Sequence, residues 1–159
     1  MNAYELNLEP TANPGTESAV TPNAVTPNYQ EIIETVIASL QEDQSAMVSQ
    51  GESGHVWKFK YGSVEVFVQL RGMTDEDELA VWAAVMKLPA RDEAGLMQKL
   101  MELNWTSTLE ARFAVVDSQV VVCAKRTLAG LSPAEVSRNI TIVATVADDN
   151  DEALQAQFG

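Results

Sequence analysis

Between His55 and Leu70 the apolar residues recur at every second position, a period that lines one face of a strand and no face of a helix. Trp57, Phe59 and Tyr61 share one side of the first run, with Lys58 and Lys60 on the other. Gly62-Ser63 turns the chain, and Val64, Val66, Val68 and Leu70 form the apolar side of the second run. Two alternating runs joined by so short a turn predict a hairpin. The fold must therefore contain an antiparallel sheet with one buried face.

The flanking segments change period. Asn28 is a good helix N-cap with Glu31 three positions on, and Ile32, Ile33, Val36, Ile37 and Leu40 make one apolar stripe. The first helix is expected over about Tyr29 to Glu42. Ala46 to Gln50 reads as a short strand before the Gly51-Glu52-Ser53-Gly54 turn. Leu79 to Leu88 is apolar on both sides, Val81 and Val85 opposite Trp82 and Met86. That pattern predicts a strand covered on both faces, with a buried helix as the alternative. A second helix follows from Asp92 to Leu103, then a hairpin, Arg112 to Val116 and Gln119 to Lys125. The last helix has the clearest start: Ser132 as N-cap, Pro133 in the first turn, Glu135 to complete a capping box, and Leu131 with Val136 as a hydrophobic staple. Its stripe runs to about Asp148. The expected fold class is α+β, an antiparallel sheet with helices in the order α-β-β-β-(β)-α-β-β-α.

Three segments are expected. Residues 1–27 are rich in Thr, Asn, Pro, Ala and Glu, without Lys or Arg, and predict a disordered tail. Residues 28–149 form the α+β domain, and residues 150–159 read as a frayed acidic end.

Composition narrows the function. Lys and Arg total 10 against 23 Asp and Glu, a formal charge of -13. Such a field repels phosphate backbones, and no basic patch is visible along the sequence, so nucleic acid is not an expected partner. No apolar run reaches the ~20 residues of a membrane span, and Met1 to Pro10 has neither region of a signal peptide. The expected location is the cytoplasm. One cysteine, Cys123, and one histidine, His55, leave no disulfide, no cysteine zinc cage and little for nucleophilic catalysis. A Cys123–His55 dyad would require the fold to bring the two together. The acidic runs at 75–78 and 148–152 lack the glycine and the glutamate of a calcium loop and read as solvated. The glycines are scattered, so no phosphate-cradling loop is present. No catalytic residue, metal or cofactor is expected.

Four stretches carry a family likeness: Val64-Glu65-Val66-Phe67-Val68, Met86-Lys87-Leu88-Pro89, Leu103-Asn104, and Gly130-Leu131-Ser132-Pro133-Ala134-Glu135. From Tyr29 to about Asp149 the chain resembles the YbjN-type family of bacterial proteins, particularly its cyanobacterial members. That family is similar in fold to the small dimeric chaperones of type III secretion. The resemblance implies a homodimer and protein partners. It carries over no catalytic residue, because the matched positions serve packing and turns.

The second helix holds the candidate interface. Leu96, Leu100 and Leu103 define one core-facing row, and Met97 and Met101 lie one position further round. Methionines there suit partners of varied shape. Leu96, Met97, Leu100 and Met101 are the expected contact residues. The leading expectation is a non-enzymatic interaction module, chaperone-like or adaptor. The alternative is a small-ligand binder or enzyme with a pocket on the open face of the sheet.

Overall fold

The computed structural model describes residues 27–159. The expected tail, all but its last residue, lies outside them. Helix α1 (Tyr29–Leu40) leads into a hairpin series, β1 (Met47–Gly51), β2 (Gly54–Tyr61), β3 (Val64–Arg71) and β4 (Glu78–Lys87). Helix α2 (Glu93–Thr106) precedes the hairpin of β5 (Arg112–Val116) and β6 (Gln119–Thr127), and α3 (Pro133–Phe158) closes the chain. The six strands form one sheet in the order β1-β2-β3-β4-β6-β5, with every pairing antiparallel. The α+β class and the element order expected from the sequence are the ones observed, with the optional fourth strand present.

One face of the sheet carries the core. Val66, Val68, Leu70, Leu79, Val81, Ala83, Val120 and Val122 are all buried on it, and α3 packs along β4, β3 and β6. Tyr29, Ile33, Val36 and Ile37 of α1 and Leu96 and Leu100 of α2 join the same cluster. The helices therefore share one side. This corrects the expectation that β4 is covered on both faces. Its other side, including Trp82 and Ala84, retains solvent contact. A register shift between Ala84 and Met86 also brings Val85 and Met86 together into the core, rather than opposing them.

The last helix is longer than its sequence stripe. Residues 150–159 are not frayed: α3 continues to Phe158, with Asp151, Leu154 and Phe158 buried. The acidic run misled because its carboxylates have structural tasks. Asp148 accepts from the backbone N–H of Ser63 at 2.7 Å and from its hydroxyl at 2.9 Å. Asp151 Oδ2 lies 2.8 Å from the same hydroxyl, whose single proton the two carboxylates share. Gly62 adopts φ 52° in this turn, and a side chain there would run into the Asp148 carboxylate. Further on, Gln155 donates to the Val85 carbonyl at 2.8 Å and Phe158 accepts from Arg91 N–H at 2.9 Å.

Candidate interaction surface

Helix α2 begins where Asp92 accepts a hydrogen bond from Gly95 N–H at 2.9 Å. Leu96 and Leu100 point into the core, and Met97 and Leu103 are packed partly against it. Met101 is 59% exposed. Of the four expected contact residues, the fold buries two, half-covers one and leaves Met101 free. The helix also runs past its expected end at Leu103 to Thr106. That extra turn places Trp105 at i+4 from Met101 and i+8 from Met97, on one continuous stripe. Trp105 is 90% exposed, and Leu109 just beyond is 72% exposed. The sequence reading left Trp105 off the stripe because it ended the helix at Leu103.

The stripe lies beside a sheet edge. Asn104 accepts from the N–H of Phe113 at 2.7 Å and donates to its carbonyl at 3.4 Å, docking α2 on β5. The polar groups of Phe113 thus point away from β6, and by the period of two those of Val115 do the same. Val115 and Val116 are about half exposed. The 107–111 connection is held by Glu110, which accepts from Arg138 of α3 at 2.7 and 3.2 Å. This guanidinium holds the Glu110 carboxyl below its usual range. Methionine, tryptophan and the outward edge groups of Val115 in one place suit contact with another polypeptide.

The residues that could carry chemistry are kept apart. His55 lies on the helix side of the sheet, stacked on Trp57 at 5.6 Å with Gln30 Nε2 3.1 Å from its ring nitrogens. Cys123 lies on the opposite face, with β3 and β4 between the two, so no Cys–His dyad forms. A depression of about 480 Å³ contains His55, Arg71 and Asp77. Asp77 is committed to the loop there: one of its oxygens accepts both the N–H and the hydroxyl of Thr74 at 2.7 Å. These bonds hold its carboxyl below its ordinary value. Among the described residues no cluster of His, Cys, Asp or Glu could hold a metal ion, and no helix is long and apolar enough to cross a membrane.

The sequence model of the YbjN family, described as "Putative bacterial sensory transduction regulator", matches residues 29–156. No curated protein matches. Among solved structures, a chain of the crystal structure of the ExsC–ExsE complex superposes with a TM-score of 0.57 at 16% identity, covering 82% of this chain and 96% of that one. The Yersinia pestis type III secretion chaperone SycH, in complex with a stable fragment of YscM2, gives a TM-score of 0.48 at 14% identity, covering 76% and 95%. The first likeness shows the fold, an antiparallel sheet with helices in the α+β class and element order expected from the sequence.

Proposed function

The chain belongs to the YbjN family, and on that premise we propose that it is a cytoplasmic, non-enzymatic interaction module, chaperone-like or adaptor, that forms a homodimer and holds another protein. The observation that carries this reading is the stripe of Met97, Met101 and Trp105 with Leu109 beyond it. A large indole left 90% in water, on a chain otherwise made soluble by a charge of -13, is the mark of a surface completed by a partner. Beyond the Asn104 contact, the outward backbone groups of Val115 on β5 offer main-chain hydrogen bonds at the same surface. A chain of this fold occurs in the ExsC–ExsE complex, which supports the same direction. The regulatory role in the family's description fits a protein that acts by binding.

The test is affinity capture from the native cell extract, with the intact chain and its Met101→Glu, Trp105→Glu variant as parallel baits. Both positions are exposed, so the variant should keep its fold. The reading expects specific proteins retained by the intact chain and lost by the variant. Identical eluates from the two baits would contradict it.

A further inference from the structure

The face of the sheet away from the helices is built as well. Its register aligns one residue of each strand in a single row: Met47, Lys58, Phe67, Trp82, Cys123 and Arg112. Phe67 and Trp82 stack in the centre, with ring centroids 5.4 Å apart and planes within 8°. Lys58 Nζ lies 5.7 Å from the Phe67 ring. Beside Trp82, a depression of about 250 Å³ is floored by Val121 and Cys123 and walled by Val116, Arg71 and Lys125.

Charge is segregated onto this face. Six of the chain's ten Lys and Arg, namely Lys58, Lys60, Arg71, Lys87, Arg112 and Lys125, occupy its outward positions. Only Glu65 and Glu78 are acidic there, facing Lys58 at 2.7 Å and Lys125 at 3.7 Å. The basic patch invisible along the sequence is assembled by strand pairing, in a molecule whose net charge is -13.

We infer that this face binds an acidic, extended peptide of another protein, one carrying large apolar side chains at alternate positions. The cations receive its carboxylates, and the depression beside Trp82 receives one of its apolar side chains. An extended peptide presents the two kinds of group on opposite sides at the spacing a sheet surface can read. Two other occupants fit less well. A second copy meeting this face isologously would set cations against cations. A nucleic acid needs free aromatic faces for base stacking, but Phe67 is flanked by Trp82 on one side and Lys58 on the other, and the remaining charge repels a long polyanion.

The inference rests on reading the chain as a protein-binding module and is independent of self-association through α2. The probe is a fluorescently labelled twelve-residue peptide alternating Asp or Glu with Leu or Phe, titrated with the full chain by anisotropy. Its controls are the same peptide with lysine at every acidic position and a twelve-nucleotide oligothymidylate. Saturable binding that weakens with salt is expected, with a loss of at least about tenfold in the Arg112→Glu, Lys125→Glu variant. Val116→Asp, at a half-exposed edge position, should weaken binding independently. Lys99→Glu on α2 and the Met101→Glu, Trp105→Glu pair should leave it unchanged, which separates this surface from the α2 surface. Equal binding of the lysine peptide, tighter binding of the oligonucleotide, or indifference to the charge reversal would overturn the inference. So would loss of self-association, in place of peptide binding, in the charge-reversed chain, since that assigns the face to a second copy. A rise in affinity on Glu5→Gln with Glu9→Gln would assign the face to the chain's own N-terminal segment and overturn an external partner.

Discussion

Asn104 holds Phe113 by both backbone polar groups, its amide side chain standing in for the strand that β5 lacks on its outer edge. This one residue fixes where α2 lies against the sheet and hence where Met101 and Trp105 project. Replacing it by alanine leaves two edge groups without their protein partner and should cost about 1–3 kcal/mol in denaturant unfolding. Asn104→Asp keeps the acceptor and loses the donor, and should fall between. Faster amide exchange at Phe113 is the local signature. An unchanged stability would show that the docking of α2 rests on Leu96 and Leu100 alone.

The capping box of α3 gives a second expectation. Ser132 accepts from Glu135 N–H at 3.2 Å, and Glu135 accepts from Ser132 N–H at 2.9 Å. Ser132→Ala should cost about 0.5–2 kcal/mol. A variant as stable as the parent would place the start of the helix elsewhere.

Acid should weaken the fold through the same corner. The Ser132 backbone N–H and the Arg126 guanidinium hold the Glu135 carboxyl below its usual 4.5. A carboxylate whose folded pKa is depressed contributes stability above its unfolded pKa and loses it as pH falls through the folded one. The fold should therefore lose stability as pH drops below about 4.5, and Glu135→Gln should flatten that fall. The Arg138 guanidinium adds the same trend at Glu110, so a small slope should remain. A Glu135→Gln profile parallel to the parent's would show that Glu135 is not a source of the dependence.

Much of this architecture is legible in the sequence because its signals are local. Alternation at Trp57, Phe59, Val66 and Val68, and the Ser132–Glu135 pair, each specify their element within a few residues. The misreadings came from long-range partners. Asp148 and Asp151 look like solvated acid until the Gly62-Ser63 turn arrives beneath them. Trp105 looked like a residue after the helix, because the apolar row ends at Leu103 and the contact of Asn104 with Phe113 lies nine residues on. Leu96 and Leu100 were legible as core, yet joining them to Met97 and Met101 in one interface mixed a buried row with an exposed one. The cation patch needs the pairing of five strands, which no local window contains.

Residues 1–26 should be dispensable for folding. Among the described residues the buried cluster runs from Tyr29 to Phe158, and residues 1–26 carry no Lys or Arg and no apolar periodicity that would specify a further element. A chain beginning at Pro27 should keep the thermal midpoint of the intact protein. An insoluble product, or a clear drop in midpoint, would mean that the segment packs on the domain.

The central claim is that the outer stripe of α2 is a protein contact, and self-association tests it most directly. Sedimentation velocity of the intact chain at micromolar concentration should give a dimer. The Met101→Glu, Trp105→Glu variant sets like charges across the two-fold axis without touching the buried Leu96 and Leu100, and it should sediment as a folded monomer. An intact chain that is already monomeric, or a double variant that remains fully dimeric, would contradict the account.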